Sequence, residues 1–301
     1  MMTGLVAIGR NEGERLRRCL ASARAQVSHL VYVDSGSTDG SSALAKELGA
    51  EVVELDLSQP FTAARARNAG FARLKERVPS LALVQFVDGD CELDSGWVGK
   101  ATTFLAEHPR VAVVCGRRRE RHPDASIYNY LCDLEWDTPV GEADACGGDA
   151  LMRVEAFEQV GGFQPDLIAG EEPDLCFRMR QRGWTIHRLD AEMTLHDAAM
   201  TRFSQWWTRN KRSGHASAEA FHRRGNARDP NALREIVSNV AWAMPAAWPL
   251  WPVLWWRVYQ RHHDRAYATF IVLGKLPHFQ GQRKYWVDRA RGTGGRLIEY
   301  K

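Results

Sequence analysis

Through the first 115 residues, short apolar runs rich in β-branched side chains alternate with stretches of helical spacing. Residues 5–8 read as a strand, after which Leu16, Cys19, Leu20 and Ala23 recur at i, i+3, i+4 and i+7, the apolar stripe of a helix. Residues 30–33 predict a second strand, and 41–48 a short helix stopped at Gly49. Residues 52–55 predict a third strand and 63–74 a longer helix. The nearly all-apolar run 81–87 predicts a strand covered on both faces, and 111–115 a fifth strand. Strand–helix–strand units of this length need right-handed crossovers, which gives a Rossmann-like, mostly parallel sheet flanked by helices.

Ligands of such sheets bind beyond the carboxyl ends of the strands. Polar residues fall at those points: Arg10-Asn11-Glu12, then Asp34-Ser35-Gly36-Ser37, then Asp88-Gly89-Asp90. No GxGxxG and no GxxxxGK[ST] follows any strand, which argues against dinucleotide oxidoreductases and P-loop enzymes. Asp88-Gly89-Asp90 has two carboxylates around a glycine and can hold a hard divalent cation, although Asp and Gly equally make a plain turn. Residues 34–40 read either as a Ser/Asp helix cap or as a carboxylate for a base or ribose, with helix-start amides facing phosphate.

Order and spacing add what single motifs lack. Val6 to Glu12, Val31 to Gly40, Ala66-Arg67-Asn68-Ala69-Gly70 and Phe86 to Asp90 resemble the nucleotide-binding half of family 2 glycosyltransferases with the GT-A fold. Gly147-Gly148-Asp149 through Gly161-Gly162-Phe163 resembles the family's acceptor-side loop, Gly170-Glu171-Glu172-Pro173-Asp174 its base motif, and Leu195-His196 its late histidine. The resemblance implies an inverting transferase that moves a sugar from a nucleotide diphosphate sugar to a hydroxyl acceptor, with Mn²⁺ or Mg²⁺ as cofactor. It implies that Asp34 contacts base or ribose, that Arg10, Glu12 and Arg67 frame that pocket, and that Ser37, Gly148 and Asp149 complete the nucleotide-sugar site. Asp90 and His196 would ligate the metal, and Asp88 the ribose or metal. The general base would come from Glu171 and Glu172; the family usually has Glu-Asp there, so Glu172 aligns with the base but the choice between the two stays open. Processive members carry QxxRW after the base motif; it is absent here, which favours transfer of a single sugar. Rival readings are an inactive sugar-nucleotide binder, which needs no base, and a nucleotidyltransferase, which needs a basic loop that residues 8–13 lack.

Charge divides the chain. Residues 202–301 hold 18 Lys/Arg against 6 Asp/Glu, while 1–201 hold 22 against 31. Residues 236–256 are uncharged and contain five tryptophans and three prolines. Their length suits a spanning helix, but the prolines oppose a straight one and the basic end would lie on the wrong side. Tryptophan flanked by arginine suits a re-entrant or surface-lying segment at an anionic membrane, with an apolar hairpin packed on the catalytic domain or a dimer partner as the alternative and nucleic acid disfavoured. Lys275 to Lys301 resembles the tails of bacterial members in surface-polysaccharide pathways, which implies a lipid-linked acceptor. The expected organisation is a catalytic domain over 1–225, with nucleotide half 1–115 and acceptor half 116–225, followed by a helical, Trp-rich extension over 226–301. Without an export signal at residues 1–10, the six scattered cysteines read as reduced, zinc as unlikely, and the location as cytoplasmic, at the inner membrane face.

Overall fold

The computed structural model describes residues 1–225 and 230–292. Its elements run β1 Thr3–Gly9, α1 Glu14–Arg24, β2 His29–Asp34, α2 Ser41–Glu47, β3 Glu51–Glu54, α3 Ala63–Arg77, β4 Leu83–Asp88 and β5 Cys91–Leu93. Then come α4 Trp97–Glu107, β6 Val111–Glu120, α5 Ile127–Trp136, β7 Gly141–Ala143, β8 Ala150–Arg153, α6 Val154–Gln159, α7 Glu171–Arg180 and β9 Thr185–His196. Four long helices follow: α8 Phe203–Arg224, α9 Pro230–Ala243, α10 Trp251–His262 and α11 Arg265–Ala290.

The described residues form two compact units. One comprises Met1–His122, Cys132–Asp166 and Glu171–Ala198; the other comprises Pro123–Leu131, Leu167–Gly170 and the chain from Ala199. Helix α8 thus falls in the same compact unit as the later helices, while the catalytic domain expected from the sequence runs to residue 225. Residues 226–229, at that expected boundary, and the closing stretch 293–301 lie outside the described residues.

In the first unit, nine strands form one sheet in the order β3-β2-β1-β4-β8-β6-β9-β5, with β7 also on β9. Strands β3, β2, β1 and β4 are mutually parallel, as the crossover units require. Strand β8 enters antiparallel between β4 and β6, which makes the second half mixed. Leu5, Val6 and Ala7 are fully buried, and α1 covers the sheet with Leu16, Cys19, Leu20 and Ala23, all fully buried. Thr62 caps α3, its hydroxyl accepting from the Arg65 amide at 3.1 Å. A Cβ on Gly70 would lie 2.3 Å from Val6 Cγ1, so only glycine lets α3 settle this close to β1. Arg67, one turn earlier on that face, is drawn to the sheet edge with it.

Strand β6 runs on to Glu120, five residues beyond the apolar run that announced it. Arg117, Arg118 and Arg119 continue the strand because ion pairs with Asp133, Asp149 and Glu192 neutralise them. In the second unit, Gly214 and Gly281 let α8 and α11 meet backbone to backbone; a Cβ on Gly281 would lie 1.9 Å from Lys211 O. Arg212 of α8 donates to Ile168 O at 2.8 Å. Residues 236–256 divide into the end of α9, a 3₁₀ turn over Pro245–Leu250 and the start of α10. Among the described residues, no helix is long and apolar enough to cross a membrane.

Candidate active site

Sheet register sets the site's spacing. Gly9 at the end of β1 pairs with Asp34 of β2, and Ile8 pairs with Asp88 of β4. The two aspartates therefore end strands on either side of β1, about 10 Å apart across two strand spacings.

Asp34 closes its own turn. Its Oδ2 accepts from the Gly36 and Ser37 amides at 3.0 and 2.8 Å, and its Oδ1 accepts from the Tyr32 hydroxyl at 3.1 Å. Burial and the Asp34 carboxylate push the Tyr32 phenol up, so it stays a donor. Asn11, at φ 58°, joins this turn to the first loop: its Oδ1 accepts from the Thr38 amide at 2.7 Å, and its amide donates to Ser37 Oγ at 2.9 Å. Arg10 is exposed beside it, and Glu12 pairs with Arg15 at 2.8 Å.

Arg67 is the centre of the next group. It is only 2% exposed; Nη1 lies 2.8 Å from Oε1 of both Glu171 and Glu172, and Nη2 lies 2.8 Å from Asp88 Oδ1. Arg67, which the resemblance places in the frame of the nucleotide pocket, bridges the base motif to the end of β4. Its one positive charge faces three carboxylates, so the cluster keeps an excess of negative charge. Burial and then Glu171 push Glu172 up to about 7, against the pull of Arg67. Burial works the same way on Asp88, but Arg67 and Arg118 outweigh it and hold that carboxyl below the usual range. Glu171 and Glu172 open α7, where unpaired helix amides favour negative charge.

Asp149 is fully buried. Its Oδ1 accepts from the Asp88 amide at 3.2 Å; its Oδ2 accepts from Thr194 Oγ1 and meets Arg118 Nη2, both at 2.8 Å. It anchors the neighbours of the site, although a place against the donor had been expected for it. A Cβ on Gly148 would lie 3.0 Å from Asp88 Oδ2 and 2.9 Å from Arg118 Nη2, so the glycine lets this loop pass close to the end of β4.

The three-residue strand β5 pairs Cys91 with His196, which brings Asp90 to the histidine. Asp90 Oδ1 lies 3.3 Å from His196 Nε2, and the possible ligand atoms of Asp90, Cys91 and His196 lie within 4.8 Å of one another. His196 Nδ1 is buried without a hydrogen-bond partner, and it is Nε2 that faces the Asp90 carboxylate. Burial holds the Cys91 thiol protonated, which leaves a carboxylate and an imidazole as the donors. With open positions left for phosphate oxygens, that donor set fits Mn²⁺ or Mg²⁺. Asp88, which the resemblance gives to ribose or metal, sets its Oδ1 against Arg67 Nη2.

Sequence reasoning missed Arg118, Trp136 and Thr194. The Trp136 ring lies 4.7 Å from the His196 ring and 5.5 Å from the Arg118 guanidinium. The only signal for Arg118 is a run of three arginines directly after an apolar strand. All six cysteines are buried and none is in a disulfide.

The profile of glycosyl transferase family 2 matches residues 6–161, just over half of the chain. The chain is 27% identical over 186 residues to the succinoglycan biosynthesis protein ExoA of Rhizobium meliloti (strain 1021), covering 59% of this chain and 55% of that protein. It is 46% identical over 61 residues to the TPR repeat-containing protein Synpcc7942_0270 of Synechococcus elongatus, 20% of this chain and 15% of that one. The chain thus spans about half of one relative and a small part of the other.

Among solved structures it resembles the mannosyltransferase PcManGT from Pyrobaculum calidifontis in complex with GDP-Man and Mn²⁺ (TM-score 0.63, 16% identity, 96% of this chain and 88% of that one). It also resembles S. aureus TarS 1–349 (TM-score 0.56, 13% identity, 97% and 92%). A third is glucosyl-3-phosphoglycerate synthase from Mycobacterium tuberculosis with Mn²⁺, UDP and glucosyl-3-phosphoglycerate (TM-score 0.52, 19% identity, 74% and 79%). Identities this low carry the fold alone. Together with the profile match and the strand-end motifs, they make the chain a member of glycosyl transferase family 2, a glycosyltransferase built on the GT-A fold.

Proposed function

We propose that the chain transfers a single sugar from a nucleotide diphosphate sugar to an acceptor hydroxyl, inverting the anomeric carbon, with Glu172 as general base. The observation that carries this reading is the Glu172 carboxyl, pushed up to about 7 beside Glu171 and tied through Arg67 to Asp88. An alcohol is a poor nucleophile until a positioned base takes its proton, and a base is most effective with its pKa near the working pH. The acceptor oxygen attacks the anomeric carbon as its proton passes to Glu172. The bond to the diphosphate breaks on the opposite face, so one displacement inverts configuration. Glu172 is preferred over Glu171 because its side chain is the more exposed of the two, 13% against 7%. Asp34, Ser37, Arg10 and Glu12 take the nucleotide, while Asp88 and Gly148 lie towards ribose and sugar. Asp90 and His196 would hold Mn²⁺ or Mg²⁺, whose charge offsets that of the departing diphosphate.

The acceptor in this reading is a lipid-linked saccharide of a bacterial surface polysaccharide, met at the cytoplasmic face of the membrane. The similarity to ExoA, named for succinoglycan biosynthesis, and the uncharged, tryptophan-rich stretch 236–256 support that choice. Calorimetric titration with a panel of nucleotide sugars, in Mn²⁺ and in EDTA, tests the donor site on wild type and Asp90→Ala. The reading expects one donor to bind in Mn²⁺ and to weaken strongly in EDTA or in the variant. Failure of every donor to bind would overturn it.

A further inference from the structure

The helices of the second unit bury polar side chains beside apolar ones. Asn239, His215 and Gln282 are each only 2% exposed. Lys275 is half-buried among them, its Nζ donating to Ser238 Oγ at 3.1 Å and Asn239 Oδ1 at 3.0 Å. Helix α9 thus turns Asn239 inward while Val237, Val240 and Met244 are 56%, 37% and 52% exposed. The pattern continues past the 3₁₀ turn, where Trp248 is 49% exposed, Val253 57% and Trp256 55%. Of the fourteen large apolar side chains exposed among the described residues, seven fall between 237 and 256. A protein surface that meets only water does not usually gather so many in one stretch.

Helix α10 shows what covers them. Its exposed positions Val253, Trp256, Arg257, Gln260 and Arg261 follow i, i+3, i+4, i+7, i+8 spacing and form one stripe. That stripe changes from apolar to cationic along the helix, and the exposed Arg265 follows at the start of α11. The opposite face is held by protein, with Trp255 Nε1 donating to Thr269 Oγ1 at 2.9 Å. No Asp or Glu occurs from 236 to 263, so a second copy laid symmetrically on this stripe would offer those arginines no counter-charge. An anionic phospholipid surface offers both halves of what the stripe needs: acyl chains for Val253 and Trp256, and phosphates for Arg257 and Arg261.

We propose that the exposed face from Val237 to Arg261 is a membrane-surface anchor, lying in the plane of an anionic bilayer with its tryptophans at headgroup depth. This deepens the proposed function by locating the surface from which a lipid-linked acceptor would be drawn, but its test needs no donor. The full chain is floated with vesicles of phosphatidylcholine plus phosphatidylglycerol and with phosphatidylcholine alone, while tryptophan emission is followed. Wild type is expected to float with the anionic vesicles, more weakly with the neutral ones, and to show a blue shift. Arg257→Ala/Arg261→Ala should lose about fivefold in affinity per arginine, and Val253→Glu/Trp256→Glu should lose flotation while keeping the wild-type melting curve. Equal flotation with both vesicle types, or undiminished flotation of the Val253/Trp256 variant, would overturn the anchor. So would a dimer in light scattering that the same variant dissociates. A chain that transfers sugar without floating contradicts only the anchor, and one that floats without transferring contradicts only the proposed function.

Discussion

At the scale of single residues, the account turns on how one buried arginine divides its charge among three carboxylates. Arg67 holds Asp88 ionised but does not bring Glu172 down to an ordinary carboxylate, because burial and Glu171 act against it. Glu172 must be deprotonated to accept a proton, so kcat/KM is expected to fall with unit slope as pH drops below about 7. Arg67→Met removes the cation that favours the charged form, and its acid limb should move to higher pH; a limb that stays in place would detach Arg67 from the base. The same variant leaves buried carboxylates uncompensated and should cost about 3–5 kcal/mol in chemical denaturation. The linkage has a definite sign. Glu172 has its folded-state pKa raised, so it contributes stability that is fully present below 4.5 and is lost as pH rises through about 7. Glu172→Gln should flatten that part of the stability curve. Asp34, Asp88, Asp90, Glu172 and His196 were legible as candidates because each sits at a strand end or in an ordered motif. Arg118 and Trp136 were not, since the contacts that give them meaning come from strands β6, β8 and β9 meeting.

At the scale of elements, periodicity revealed those that bury a regular face. The α1 stripe read directly from its helical spacing, and strands β1, β2 and β4 from short apolar runs rich in β-branched residues. Strands β5, β7 and β8 have three, three and four residues, too short for a period to register. They nevertheless build the site, since β5 sets Asp90 against His196 and β8 follows Asp149. Strand β6 was read short because its second half is charged, and charge normally marks a surface. Helix α3 makes a test at this scale. Gly70→Val would force a side chain against Val6 and Val33, where even a Cβ would lie at 2.3 and 2.8 Å. Overpacking of this kind costs about 1–3 kcal/mol, and it should also lift Arg67 off the glutamate pair. A lowered melting temperature with lowered kcat is expected. A variant that melts lower but keeps full kcat would show that α3 needs its close seat only for stability.

At the scale of the whole molecule, the sequence's uneven charge corresponds to two compact units of different character. The first carries the sheet, the carboxylates and the possible metal ligands; the second carries the basic, tryptophan-rich helices. The boundary was not legible at residue level because α8 has the amphipathic pattern of any helix packed on a core. Its close glycine contact with α11 and the bonds Trp207–Gln280 and Asn210–His278 assign it to the later group. Whether 236–256 spans or lies flat could not be settled by hydropathy either, since length favours one answer and proline the other. The segment breaks at Pro245 and restarts at Trp251, and among the described residues no helix is long and apolar enough to cross a membrane.

The central claim is that Glu172 does the chemistry without being needed to hold the donor. The most direct measurement pairs two readouts on wild type and Glu172→Gln: calorimetric affinity for the donor found in the Mn²⁺ panel, and nucleoside diphosphate release with acceptor present. The account predicts donor affinity within about twofold of wild type and turnover lower by about 10²–10⁴. Turnover close to wild type in Glu172→Gln, with the donor still bound, would contradict it.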